Sequence, residues 1–69
     1  MSNQYTISAF SFSKSLNVDS HANTVCESVS VAMKMIQDGF DKVTIYDGNG
    51  RVERIYYNVN GKARRWKLE

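Results

Sequence analysis

Cys26 and His21 are the only thiol and the only imidazole in this 69-residue chain. A nucleophilic site would need the thiol within hydrogen-bond reach of a base. We predict that both residues lie on one strand spanning 21–27, where a separation of five positions places them on opposite faces. One cysteine and one histidine also cannot supply a four-ligand zinc site. We therefore expect Cys26 to be a small buried residue and His21 to lie at the surface or at a strand end.

The acidic residues have structural explanations. Asp38 and Asp41 flank the predicted end of a helix, and Glu53 is expected to face a basic residue across a strand pair. Residues 47–50, Asp-Gly-Asn-Gly, lack the ligand alternation of a calcium loop and the Lys-Ser/Thr ending of a phosphate loop. They are typical of a hairpin turn. We therefore predict a protein that is not an enzyme and that needs no cofactor and no metal.

Basic residues are concentrated at the C-terminal end. Residues 1–50 carry three lysines and five acidic residues, a charge of −2, and residues 51–69 carry six basic and two acidic residues, a charge of +4. This asymmetry indicates an acidic partner, either nucleic acid or an acidic protein surface. A charged strand edge that keeps the protein from associating would produce the same pattern.

Hydrophobic periodicity predicts the elements that position these residues. Residues 4–13 alternate apolar and small polar side chains, as a strand does. Residues 14–20 contain turn formers and are predicted to be a loop before the strand at 21–27. Ser28 is a suitable N-cap for a helix spanning 28–38.

The predicted helix has an apolar stripe of helical period, followed by Gly39 where a left-handed residue commonly ends a helix. The stripe consists of Val29, Ala32, Met33, Ile36 and Phe40. Three β-rich segments follow, separated by turn signals at 47–50 and 60–61. The predicted strands are 42–46, 51–57 and 62–68. The order β-β-α-β-β-β predicts one α+β domain over residues 1–69, a mainly antiparallel sheet with one helix packed on one face.

Strand parity then sorts the side chains of the predicted sheet. Val43 and Ile45 are expected to face the helix, with Ile55, Tyr57, Trp66 and Leu68. The uncovered face is expected to hold Thr44, Tyr46, Arg54, Tyr56, Arg65 and Lys67. A slip of one residue in a hairpin register would exchange the two sets.

Aromatic and basic residues alternate on the predicted uncovered face. Such a face suits single-stranded nucleic acid, because bases stack on the rings and phosphates pair with the cations. Tyr and Arg are also the preferred anchors of protein interfaces. A solvated sheet face would show the same composition. The predicted binding residues are Tyr46, Arg54, Tyr56, Arg64, Arg65 and Lys67.

Length and composition also suggest where and in what form the chain acts. The single cysteine and the absence of a visible signal peptide or apolar run favour the cytoplasm and no membrane association. A chain this short has a thin core, and Cys26 cannot form an internal disulfide. Self-association would supply the missing stability, so a homodimer is one expectation.

Short motifs between residues 22 and 66 resemble those of small phage-encoded inhibitors. The motifs are Cys-Glu-Ser-Val-Ser-Val-Ala at 26–32, Lys-Val-Thr-Ile-Tyr at 42–46, Arg-Ile-Tyr-Tyr at 54–57, Asn-Gly-Lys at 60–62, and Trp66. They resemble one type I-F anti-CRISPR family and, in outline, phage inhibitors of bacterial RNA polymerase. The long first strand and the 14–20 segment depart from that pattern.

The resemblance implies a stoichiometric inhibitor in the host cytoplasm. Such a protein would bind a bacterial protein or ribonucleoprotein complex that handles nucleic acid, and would compete with its guide or target strand. The sheet face and the basic C-terminal hairpin would form the contact. The alternative is a module that binds nucleic acid directly.

Overall fold

One helix packs on one face of a five-stranded antiparallel sheet in residues 4–66, which the computed structural model describes. The elements are β1 (Tyr5–Ser11), β2 (Leu16–Ala22), α1 (Val25–Gln37), β3 (Lys42–Tyr46), β4 (Val52–Val59) and β5 (Lys62–Trp66). The strand order across the sheet is β2-β1-β3-β4-β5, and each neighbouring pair is antiparallel. The predicted α+β class, with one helix on one face of an antiparallel sheet, is confirmed.

The second strand lies earlier in the chain than predicted. β2 spans Leu16–Ala22, so most of the predicted loop at 14–20 is strand and most of the predicted strand at 21–27 is not. Ser15, at φ 50°, ends the turn that joins β1 to β2. Every residue of β2 pairs with β1, and this pairing outweighs the poor strand propensity of Asn17 and Asp19.

The helix begins three residues earlier than predicted, and Ser28 is not its cap. Thr24 is the N-cap, and its hydroxyl accepts a hydrogen bond from the Glu27 amide at 3.1 Å. The Glu27 carboxylate in turn accepts from the Asn23 amide at 3.1 Å, which resembles a capping box. Ser28 is fully buried, and its hydroxyl donates to the Val25 carbonyl at 2.7 Å.

The far end of the helix agrees with the sequence pattern. Gly39 has φ +107°, the left-handed conformation expected after the last helical turn. Ala32 and Ile36 of the predicted stripe are buried, and the remaining stripe residues pack against the core from half-buried positions. The core is formed by Ile7, Ala9, Ala22, Ala32, Ile36, Val43, Ile45 and Tyr56.

A β-bulge at Glu53 reverses the predicted parity of β4. Ile45 pairs with Arg54, but the next residue of β3, Tyr46, pairs with Val52. Glu53 is therefore the extra residue, and every later residue of β4 lies on the face opposite to the predicted one. The predicted placement of Arg54 and Tyr56 on the uncovered face is wrong.

The same shift passes into β5 through the β4–β5 pairing. Tyr56 pairs with Arg65, so Arg65 lies on the helix side, whereas its neighbours Arg64 and Trp66 lie on the uncovered side. The predicted placement of Trp66 on the helix side is wrong, because its pairing with Ile55 puts it on the uncovered side, where it is 46% exposed. Lys67 and Leu68, for which parity also predicts a face, lie outside the described residues.

Asn58 connects the helix end to the last hairpin. Its side-chain amide donates to the Phe40 carbonyl at 3.2 Å and to the Ile36 carbonyl at 3.4 Å. Its side-chain oxygen accepts from the Gly61 amide at 2.8 Å. Because Asn58 holds both elements, the β4–β5 hairpin is fixed relative to the helix.

Candidate functional site

The sheet surface opposite α1 is the candidate site, and we call it the open face. Strand register assigns its members. They are Thr6, Ser8 and Phe10 on β1; Asn17, Asp19 and His21 on β2; Lys42, Thr44 and Tyr46 on β3; Val52, Ile55, Tyr57 and Val59 on β4; and Lys62, Arg64 and Trp66 on β5. No element within residues 4–66 covers this surface.

A row of aromatic and basic residues crosses the open face. Phe10 pairs with Lys42, Lys42 with Tyr57, and Tyr57 with Arg64. Directly opposed side chains on one face have Cβ atoms about 4.5–5.5 Å apart. Tyr57 therefore lies between two basic residues of the neighbouring strands.

A second row beside the first is mainly apolar. Thr44 pairs with Ile55, and Ile55 pairs with Trp66. Thr44 is only 8% exposed, whereas the Trp66 indole is 46% exposed at the edge strand. This row supplies a large accessible ring beside the Tyr57 and Arg64 pair.

Two depressions lie on either side of Tyr46. One, of about 320 Å³, is lined by Ser8, Phe10, Phe12, Asn17, Lys42, Thr44 and Tyr46. The other, of about 450 Å³, is lined by Gln4, Thr6, Tyr46, Asp47, Gly48 and Gly50. Both are open to solvent and lined by polar and aromatic groups.

The β1–β2 turn contributes one wall of the smaller depression. The rings of Phe10 and Phe12 meet edge to face, with their centroids 5.0 Å apart. Asp41 fixes the start of the turn, because its carboxylate accepts a hydrogen bond from the Phe12 amide at 2.7 Å. Phe12 is 62% exposed, so this wall presents an accessible aromatic ring.

The charge of the open face is mainly positive. Its cations are Lys42 on β3 and Lys62 and Arg64 on the edge strand β5. Strand pairing also assigns the carboxylate of Asp19 to this face, but Asp19 lies on β2, the other edge strand. The positive charge is therefore concentrated at the side of the sheet that carries Tyr57 and Trp66. An anionic partner would be attracted to that side.

The structure divides the predicted binding residues between the two faces. Tyr46 lies on the open face as predicted, and so does Arg64. Arg54, Tyr56 and Arg65 lie on the helix side. Lys67 lies outside the described residues. Sequence reasoning missed four open-face residues. Tyr57 and Trp66 are assigned to the helix side by strand parity, and Phe10 and Lys42 have no predicted surface role.

Arg54 and Tyr56 interact with each other on the helix side. The Arg54 guanidinium donates to the Tyr56 hydroxyl at 3.4 Å, and this hydrogen bond raises the pKa of the guanidinium above its ordinary value. Tyr56 is 4% exposed, and the Arg54 Nε is buried without a hydrogen-bond partner. These contacts are structural, since a buried ring cannot stack on a ligand.

Cys26 and His21 lie on different elements. Cys26 is exposed in the first turn of α1, so its predicted burial on a strand is wrong, because the helix begins before it. His21 is exposed on β2 at the surface, as expected. The described residues contain no group of three or more His, Cys, Asp or Glu side chains that could hold a metal ion. Within the same residues, no helix has the length and apolar character needed to span a bilayer.

Comparison of the chain with protein-family models, with curated proteins and with solved structures found no match. The resemblance to phage inhibitors therefore stays a prediction. The proposed function is therefore argued from the residues of the open face.

Proposed function

We propose that this chain binds single-stranded nucleic acid on its open face. The observation that carries the proposal is the row in which Tyr57 lies between Lys42 and Arg64, beside the exposed Trp66. Rings on a sheet face stack with unpaired bases, and neighbouring cations pair with the phosphates between them. The chain would act as a binding module and not as an enzyme.

The dimensions of the row suit a short single-stranded segment. From Phe10 to Arg64 the row crosses three strand spacings, or about 14 Å at about 4.8 Å each. Sheet faces of this kind stack two or three bases. Bases within a duplex are already stacked on each other, so their faces are not available to Tyr57 or Trp66.

Titration of labelled oligonucleotides tests this proposal. We expect a single strand of about 12 nucleotides, in the size range of known single-strand sites, to bind more tightly than the duplex of the same sequence. With three phosphate contacts, log affinity should fall with log salt at a slope of about −2, since each contact contributes about −0.7. Trp66 is the only tryptophan, so base stacking should also quench the intrinsic fluorescence.

Two results would contradict recognition of single strands by base stacking. One is the absence of any anisotropy change at about 50 mM salt, where electrostatic binding is strong. The other is binding with unchanged Trp66 fluorescence and equal affinity for duplex and single strand. That second result would indicate charge attraction without base stacking.

A protein partner is the second candidate for the same face. Tyr57, Arg64 and Trp66 belong to the residue types that most often anchor protein interfaces, and Arg64 and Trp66 are exposed. Under this proposal the chain is an inhibitor that docks on a bacterial complex handling nucleic acid, in the cytoplasm. The supporting result is capture of such a complex from nuclease-treated lysate by the wild type but not by Arg64→Glu. Loss of capture after nuclease treatment would instead indicate a nucleic-acid bridge.

A further inference from the structure

The two edges of the sheet differ in how they are protected. β2 and β5 are the edge strands, and within residues 4–66 each pairs with one neighbour only. The outer backbone N–H and C=O groups of an edge strand can pair with another chain, unless charges, proline, a bulge or shortness prevents it.

β5 has several protective features and β2 has few. β5 spans five residues and carries Lys62, Arg64 and Arg65, so a second copy would meet like charges. β2 spans seven residues without proline, pairs with β1 without a register shift, and carries one formally charged residue, Asp19. β2 is therefore the edge that can accept another strand.

We propose that β2 pairs with β2 of a second copy of this chain, antiparallel, about a two-fold axis that places Ser20 opposite its own copy. Directly opposed residues of an antiparallel pair point to the same face, whereas neighbouring residues along one strand point to opposite faces. If both helices lie on the same side of the joined sheet, the two-fold axis must therefore pass beside a residue that is opposed to its own copy. A centre at Asp19 would oppose two like carboxylates. A centre at Ser20 places Asp19 of each copy opposite His21 of the other.

The side chains on both faces are complementary in this register. On the open face, each His21 imidazole can donate a hydrogen bond to the opposed Asp19 carboxylate, and the symmetry produces this pair twice. On the helix side, Val18 lies opposite Ala22 of the other copy, so two small apolar residues meet. A centre at Val18 would instead place Asn17 opposite Asp19 on the open face.

The dimer would contain a continuous ten-stranded sheet, twice the five strands of one copy. Both open faces would lie on the same side, with β5 of each copy at the outer edges. This surface would offer two Tyr57 and Arg64 rows to one ligand. The pairing depends on the β2 edge alone, so it can hold even if the proposed function fails.

Disulfide trapping tests both the pairing and its centre. In a Cys26→Ser background, Ser20→Cys should form a linked dimer on mild oxidation, because opposed Cα atoms lie about 4.5–5.5 Å apart, within disulfide range. In the same background, two matched controls should remain unlinked. Val18→Cys and Asn17→Cys would be separated from their own symmetry copies by about 14 and 21 Å.

Equal crosslinking at all three positions, or stronger crosslinking at Val18 than at Ser20, would overturn the proposed register. Circular dichroism of each variant checks that the fold is retained. A linked dimer formed only by the Ser20 variant would support the proposal.

Analytical ultracentrifugation with a charge swap provides an independent test. We expect the wild type to dimerise and Asp19→Lys to weaken dimerisation by about tenfold or more, since it removes both Asp19–His21 pairs. Asp19→Lys combined with His21→Asp should restore it, because an ammonium and a carboxylate then oppose each other at both pairs. Lys62→Glu, on β5, should leave the dimer unchanged. A wild type that stays monomeric up to about 1 mM would overturn the proposal.

Discussion

Tyr56 and Tyr57 are adjacent in sequence but have opposite positions in the molecule. Tyr56 is 4% exposed and packs in the core beneath α1, whereas Tyr57 is half-buried on the open face between Lys42 and Arg64. We therefore expect Tyr56 to contribute mainly to stability and Tyr57 mainly to binding. The same substitution at each position should affect different measurements.

We expect Tyr56→Ala to lower the free energy of unfolding by about 3–5 kcal/mol, because it leaves a cavity in the core. Tyr57→Ala should change stability much less and should weaken single-strand binding by about 5–150-fold, equivalent to about 1–3 kcal/mol for one stacked base. Urea denaturation and fluorescence anisotropy measure the two effects. A stability loss at Tyr57 equal to that at Tyr56 would contradict the assigned faces.

The faces on which the β4 side chains lie could not be predicted from the sequence. The alternation of side chains along β4 is visible in the sequence, and so is the presence of Tyr and Arg in the strand. The face that each residue occupies depends on Glu53, which has no partner on β3. Nothing in the identity of Glu53 indicates a bulge, so strand parity assigns Arg54 and Tyr56 to the wrong side.

At the element scale, the start of α1 depends on Thr24. Its hydroxyl accepts from the Glu27 amide at 3.1 Å, which satisfies one of the free donors at the helix start. We expect Thr24→Ala to lower the free energy of unfolding by about 1 kcal/mol. Ser30→Ala, at an exposed position inside the helix, is the matched control and should be neutral or slightly stabilising. Urea denaturation with equal losses for both variants would contradict the assigned cap.

The elements predicted most accurately are those with strong local signals. β3 has the predicted bounds, and Gly39 ends the helix with positive φ as expected. The prediction misses β2 because an edge strand can carry polar residues that are typical of loops. It misses the helix start because Val25 and Cys26 are compatible with a strand, and the capping contacts of Thr24 are made only after folding.

At the scale of the whole molecule, α1 covers one side of the sheet, and within residues 4–66 no element covers the open face on the other side. The asymmetry of charge in the sequence directs attention to the C-terminal hairpin. The charge asymmetry does not indicate that the two adjacent arginines of β5 lie on opposite faces of the sheet. Only the register between β4 and β5 separates Arg64 from Arg65.

This separation provides the most direct test of the proposed function. Arg64→Glu and Arg65→Glu change the net charge equally, and both residues are exposed on β5. At about 0.1 M salt, charges more than about 10 Å from the ligand are largely screened. We expect Arg64→Glu to weaken binding of a single-stranded oligonucleotide by about tenfold or more, because it removes one phosphate contact and adds a repulsive charge, while Arg65→Glu stays within about threefold of the wild type. Equal loss of affinity in the two variants, or a greater loss with Arg65→Glu, would contradict binding on the open face.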